Sequence, residues 1–105
     1  IQAAIEIYGS IYISIDYGEN WTKVNLPIVT DIEWQAISIS ATGKYMTTVA
    51  KGGTIYYSTD YGVSWDKNTA SILVGKEWVC VAVSSNAYYQ LAGVYGGGLY
   101  VSKIN

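Results

Sequence analysis

Two eight-residue stretches decide the fold: SIDYGENW at residues 14–21 and STDYGVSW at residues 58–65. Both have the pattern Ser-x-Asp-Tyr-Gly-x-x-Trp, and they begin 44 residues apart. The same offset relates Trp34 to Trp78, with no insertion between the copies. Because repeats of about 40–50 residues with several short strands are typical of β-propeller blades, this spacing predicts a propeller.

Each repeat contains four short segments with the composition of β-strands. In the middle copy, which is complete, they lie roughly at 34–40, 44–51, 54–59 and 64–68. No segment has the period of an amphipathic helix. We therefore predict an all-β chain, a single propeller segment of about two and a half blades with four antiparallel strands per blade. Its expected divisions are a partial blade at 1–33, a complete blade at 34–77 and a partial blade at 78–105.

The first strand of each repeat is apolar on both faces. Simple alternation directs Ile37 and Ile39 to one face and Trp34, Ala36 and Ser38 to the other. The run WVCVAV, which begins 44 residues later, repeats this pattern. A strand of this kind needs cover on both sides. We therefore expect Cys80, within that run, to be a small buried side chain.

Composition argues against several functions. The 105 residues include eight acids and six lysines, with neither Arg nor His, for a net charge of −2. Without Arg or a basic patch, nucleic-acid binding is not expected. Without His, the chain lacks catalytic triads and the usual nitrogen ligands of zinc. No apolar run approaches the roughly 20 residues of a membrane span. We expect no metal, no cofactor, no nucleic acid and no membrane partner.

The repeated pattern resembles the Asp box, or BNR repeat, of sialidases, sortilin-type receptors, xyloglucan-degrading glycosidases and photosystem assembly factors. Every fixed position of that pattern is present: Ser14, Asp16, Gly18 and Trp21 in the first copy, and Ser58, Asp60, Gly62 and Trp65 in the second. The stretch 34–65 is also similar to tandem propeller repeats of large DNA viruses and aquatic microbes. The resemblance implies boxes on the blade periphery, away from the central site. It slightly favours an extracellular or virion-associated setting, and localisation is otherwise open.

We expect the motif to hold a hairpin rather than to perform catalysis. An Asp at a strand end can accept hydrogen bonds from N–H groups of the next turn. The Gly two positions later can adopt positive φ, and the Trp can pack back across the hairpin. No catalytic residue is predicted. Asp31 and Glu33 are the available counterpart of a glycosidase acid pair, but Glu77 repeats Glu33 and this favours a structural role.

Eleven Tyr and four Trp suggest carbohydrate binding, because sugar faces stack on aromatic rings. Aromatic residues that recur with the repeat are expected to pack instead: Tyr12, Tyr56 and Tyr100, and the pair Tyr17 and Tyr61. The unrepeated tyrosines are the candidates for a ligand surface: Tyr8, Tyr88 and Tyr95.

The expected partners follow from blade number. A closed propeller needs at least about four blades, so we expect the chain to associate with other copies of itself or with the rest of a longer propeller. The first functional hypothesis is a non-enzymatic structural or interaction module that binds a glycan or a protein. The alternative is a fragment of a glycoside hydrolase, sialidase-like or xyloglucanase-like, whose catalytic residues lie outside this chain.

Overall fold

The computed structural model consists of three antiparallel β-sheets. It describes residues 1–6, 10–24, 33–50, 54–68, 77–86 and 88–103. The first sheet contains β1 (Gln2–Ile5), β2 (Ile11–Ser14) and β3 (Thr22–Lys23). The middle sheet contains β4 (Trp34–Ile39), β5 (Met46–Ala50), β6 (Thr54–Ser58) and β7 (Asp66–Asn68). The last sheet contains β8 (Trp78–Val83), β9 (Tyr89–Val94) and β10 (Leu99–Lys103). These ranges include no helix, and hence none that is long and apolar enough to cross a membrane.

The first strands of the middle and last sheets begin with a bulge. The register of β4 shifts between Trp34 and Ala36, and that of β8 shifts between Trp78 and Cys80. The extra residue moves the tryptophan to the other face of the strand. Trp34 therefore packs in the same cluster as Ile37 and Ile39, so the simple alternation expected from the sequence is wrong at this point.

Two apolar clusters hold the sheets face to face. The cluster between the first and middle sheets contains the buried residues Ile11, Trp34, Met46, Ala50, Tyr56 and Trp65. The cluster between the middle and last sheets contains Val49, Ile55, Trp78 and Ala92. In each, a tryptophan packs edge-on against a tyrosine with ring centroids 5.5 Å apart, a favoured aromatic geometry. One packing arrangement is therefore used twice, at the 44-residue offset.

The second strand of the middle sheet is the most buried. Every residue of Met46–Ala50 is buried, because β5 has a strand on each side and a sheet against each face. The first strands of the middle and last sheets, β4 and β8, are less buried than β5. Cys80 in β8 is exposed. Our expectation of a buried Cys80 is wrong: its side chain lies over Gly93 on the outer face of the last sheet, and no described residue packs against that face.

Candidate functional site

The turns of the repeated motif lie at one end of the sheets. We call this the motif end and define it by the turns at 15–21, 40–45 and 59–65. The Tyr61 amide donates a hydrogen bond to the Lys44 carbonyl oxygen at 3.1 Å, which ties two of these turns together. The Ala41 amide donates to the Ser85 carbonyl oxygen at 3.0 Å. The motif end is therefore a continuous surface that crosses from sheet to sheet.

The second motif turn, residues 58–65, is closed by side-chain hydrogen bonds. The Ser58 hydroxyl oxygen accepts from the Gly62 amide at 2.9 Å, and the hydroxyl donates to Asp60 Oδ1 at 2.8 Å. Asp60 Oδ1 also accepts from the Ser64 amide at 2.9 Å, and Asp60 Oδ2 accepts from the Ser64 hydroxyl. Trp65 Nε1 donates to the Gly62 carbonyl oxygen at 2.9 Å. The turn is thus satisfied internally.

The first motif turn, residues 14–21, repeats this network. Ser14 accepts from the Gly18 amide at 2.8 Å and donates to Asp16 Oδ1 at 2.9 Å. Asn20 replaces the second serine: its amide donates to Asp16 Oδ1 at 2.9 Å and its side chain donates to Oδ2 at 2.7 Å. Trp21 Nε1 donates to the Gly18 carbonyl oxygen at 3.0 Å. The residue before each tryptophan, Asn20 or Ser64, is therefore the hydrogen-bond donor to the motif carboxylate. A short polar residue at this position is the sequence signal for that role, and our sequence analysis missed it.

The two motif carboxylates are held in the ionised form. Hydrogen bonds from the Asn20 backbone and side chain lower the pKa of Asp16 below its usual value. Hydrogen bonds from the Ser64 side chain and backbone do the same to the pKa of Asp60. A general acid needs the opposite shift. Both carboxylates therefore have the properties of turn acceptors.

The tyrosine of each motif has an unexpected backbone conformation. Tyr17 and Tyr61 have φ of 62° and 63°, and the glycines that follow them, Gly18 and Gly62, have φ of 88° and 84°. Left-handed backbone is costly for a bulky side chain. Tyr17 is also 99% exposed. The expectation that repeated aromatic residues pack is therefore wrong for Tyr17, although it holds for the buried Tyr56.

A groove of about 540 Å³ lies between the two motif turns. Its apolar lining includes the ring of Tyr61 and the side chains of Ile15 and Val63, which are 80% and 82% exposed. Its charged lining residues are Asp16 and Lys23. The Asp16 carboxylate already accepts hydrogen bonds within its turn, and Lys23 is the cationic side chain in this lining.

The two unrepeated tyrosines that the structure describes do not share one surface. Tyr88 and Tyr95 are both exposed, but they flank opposite ends of β9, and Tyr8 lies outside the described residues. Tyr95 lines a shallow cleft of about 260 Å³ beside Glu77 and Trp78. The buried Nε1 of Trp78 has no hydrogen-bond partner among the described residues.

The acidic residues provide no assembled centre in the described part of the chain. Asp31 lies outside the described residues, so the expected acid pair stays a prediction. Glu33 is half-buried and Glu77 is exposed, and the Glu77 carbonyl oxygen accepts from the Tyr95 amide at 2.9 Å. Across the described ranges, no group of three or more His, Cys, Asp or Glu side chains could hold a metal ion.

Comparison with solved structures shows the fold. Ten solved chains match, among them one described as "YCF48 bound to D1 peptide", with a TM-score of 0.82 and 17% sequence identity. The alignment covers 96% of this chain and 33% of that one. The chain is a partial β-propeller. Its three sheets are blades, and it spans about a third of the length of this structural neighbour. No protein-family model and no curated protein matches the sequence.

Proposed function

We propose that this chain is a non-enzymatic segment of an Asp-box propeller and that it serves as an interaction module for a protein segment with apolar side chains. The structural neighbour supports a protein ligand, because that propeller is described as bound to a peptide. With 17% identity, it supports the class of ligand and not the position of the site. The site has to be argued from this chain.

The groove between the motif turns is the observation that carries the proposal. Ile15 and Val63 are aliphatic side chains that are almost fully in water on either side of it. Covering apolar surface stabilises a complex by about 25 cal/mol per Å². Both turns are held by internal hydrogen bonds, so little ordering free energy is lost when a ligand binds.

Lys23 indicates that the expected ligand carries a negative charge. It lines the groove beside the aliphatic residues, whereas the Asp16 carboxylate is occupied within its own turn. A peptide with two large aliphatic residues next to one acidic residue would bury the former against Ile15 and Val63. The acidic residue would lie near the Lys23 ammonium group, where attraction of opposite charges adds specificity.

The Asp-box and non-enzymatic parts of the proposal rest on the turns and on composition. The fixed Ser, Asp, Gly and Trp of each copy all take part in one hydrogen-bond network. The motif carboxylates therefore already serve as hydrogen-bond acceptors within their own turns. The chain has no His and no Arg, so its own residues cannot supply a histidine base or a guanidinium clamp.

Fluorescence anisotropy tests the groove. The probes are labelled decapeptides, one set with two leucines and an aspartate and one set of glycine and serine only. We expect binding of the first set, and loss of at least tenfold in affinity for Val63→Asp, which places a charge in the groove. Val79→Asp, at the end of the blades away from the motif turns, is the matched control. Equal losses of affinity for both variants, or no preference for the leucine peptides, would contradict the proposal that the groove is the binding site.

The exposed ring of Tyr17 favours a second candidate, glycan binding. A tyrosine that is 99% exposed in a costly backbone conformation is well placed to stack on a sugar face. A glycan array with the wild-type chain and Tyr17→Ser distinguishes the two candidates. Signals that vanish in Tyr17→Ser support a glycan ligand, and an array without signals leaves the peptide as the ligand class.

A further inference from the structure

The faces by which neighbouring blades pack follow the 44-residue repeat. The first blade turns Ala3, Ile5, Ile11 and Ile13 toward the middle blade. The middle blade turns the equivalent Val49 and Ile55, with Ala36, toward the last blade. The Thr47 hydroxyl, on the same face, donates to Gln90 Oε1 at 2.8 Å. Each blade thus presents one face, here called the leading face, to the blade that follows it.

The leading face of the last blade is open to solvent. The residues equivalent to Ala36, Thr47, Ile55 and Ile13 are Cys80, Leu91, Leu99 and Val101. All four are exposed, Leu99 by 69% and Val101 by 68%. No described residue covers them. An apolar sheet face of this kind is an interaction surface rather than an ordinary protein surface.

The first blade has a matching face on its far side. The last blade packs on the middle blade through Gln90, Ala92 and Tyr100. Residues of the same three types occupy the equivalent positions of the first blade: Gln2, Ala4 and Tyr12. The middle blade differs at two of these positions, with Met46 and Thr48. Gln2 and Ala4 are exposed, so the first blade presents to solvent the face by which the last blade is docked.

We propose that the leading face of the last blade docks on this far face of the first blade in a second copy of the chain. The register is that of the last blade on the middle blade, which places Leu91 of one copy beside Gln2 of the next. Because the two faces are different, the contact is heterologous and head-to-tail, and successive contacts continue the turn of the propeller toward a closed ring.

One residue opposes this docking. Glu6 occupies the position of Ala50 and Val94, both of which pack between blades. Its carboxylate accepts a hydrogen bond from the Tyr12 hydroxyl at 2.9 Å. Covering an ionised carboxylate costs free energy unless it is fully hydrogen-bonded. Replacement of Glu6 by valine should therefore strengthen association.

Disulfide trapping tests the two faces and their polarity. In a Cys80→Ser background, Leu91→Cys and Gln2→Cys are placed in separate chains, which are oxidised alone and as a mixture. We expect a crosslinked dimer in the mixture and none in either sample alone. Crosslinking of Leu91→Cys with itself would overturn the head-to-tail arrangement in favour of a two-fold one. An uncrosslinked mixture would overturn the docking.

Sedimentation velocity on the untagged 105-residue chain gives an independent readout. We expect a mass that rises with concentration, reversion to monomer for Val101→Lys, and a larger associated fraction for Glu6→Val. Ala41→Lys is the matched control, because this exposed residue lies in the turn at 40–45, outside the groove and on neither docking face. A wild-type chain that stays monomeric at all concentrations would overturn the proposal and assign the open face to another partner, such as further blades of a longer chain.

Discussion

The Ser58 hydroxyl oxygen accepts the Gly62 amide hydrogen bond at 2.9 Å, and Ser14 stands in the same relation to Gly18 at 2.8 Å. Both serines are almost fully buried, at 2% and 1% exposure. The same hydroxyl groups donate to the motif carboxylates. Each serine therefore connects the strand end, the aspartate and the glycine of its turn, which makes it the central residue of the motif.

Replacement of this serine should destabilise the fold. In Ser58→Ala the Gly62 amide loses its acceptor inside the protein, and an unsatisfied buried donor costs about 1–3 kcal/mol. Urea unfolding followed by tryptophan fluorescence measures the change. Ser102→Ala is the matched control: this serine has the same place in the last repeat, but it is exposed, and we expect a change within about 0.5 kcal/mol. Equal losses in both variants would argue against the central role of Ser58.

The two motif tryptophans should differ in their contribution to stability. Both donate to a glycine carbonyl oxygen, at 3.0 Å for Trp21 and 2.9 Å for Trp65. Trp65 is buried in the core between the first two blades, whereas Trp21 is 43% exposed. Trp65→Ala should therefore cost about 3–5 kcal/mol, the usual range for a large buried aromatic residue, and Trp21→Ala should cost less than half as much. Thermal unfolding of both variants checks this order.

The repeat made the fold predictable from sequence. Its 44-residue period predicted short antiparallel strands, and the strands of the middle blade lie within the expected segments. Periodicity alone could not predict the bulges in β4 and β8, because a bulge leaves composition unchanged while it reverses the direction of the tryptophan. It also could not predict the exposure of Cys80, since that depends on whether a further sheet covers this face of the last blade, and no described residue does.

The candidate site was less predictable. The motif indicated Asp16 and Asp60 as turn residues, but it drew attention away from Tyr17 and Ile15, which are fully or largely exposed at that turn. A repeated residue looks structural when only the pattern is known. Exposure distinguishes a repeated core residue such as Tyr56 from a repeated surface residue such as Tyr17, and exposure depends on the direction that the turn gives each side chain.

Acid should destabilise the protein through the motif carboxylates. Hydrogen bonds lower the pKa of Asp16 and Asp60 in the folded state, so their contribution to stability is present above the unfolded-state pKa of about 3.9. It is lost as pH falls from that value through the lower folded-state pKa. The free energy of unfolding of Asp16→Asn/Asp60→Asn should accordingly fall less steeply below about pH 4 than that of the wild type.

Ser64→Ala provides a matched test of that cause. The Ser64 hydroxyl donates to Asp60 Oδ2, and this bond makes the largest contribution to lowering the pKa of Asp60. Its removal should raise the folded-state pKa toward the unfolded value, which reduces the loss of stability on acidification. Urea unfolding across the acid range measures the slope. A slope unchanged in both Ser64→Ala and the double variant would show that other groups control acid unfolding.

Two glycines with positive φ should respond differently to alanine. Gly62 has φ of 84°, and an added methyl group would lie 3.2 Å from Ile13 Cδ1 and 3.3 Å from Met46 Sδ. Gly96 has φ of 67°, with nothing within 4 Å of that position. Gly96→Ala should cost about 1–2 kcal/mol from backbone strain alone. Gly62→Ala should cost more, because the contact between the first two blades must also adjust. Denaturant unfolding gives the free energy of unfolding of both variants. The difference between their losses separates the cost of backbone strain from the cost of steric crowding.

Tyr17 should be replaceable with a gain in stability. Its backbone is left-handed, at φ of 62°, and its exposed ring has no compensating contact among the described residues. Asparagine tolerates this conformation far better than tyrosine, so Tyr17→Asn should recover part of the roughly 1–2 kcal/mol that left-handed backbone costs. Tyr88→Asn, an exposed tyrosine with ordinary φ, should gain nothing. If Tyr17→Asn is the more stable protein and also loses the signals of the glycan array, the strained tyrosine serves binding at the expense of stability, as strained residues at functional sites do.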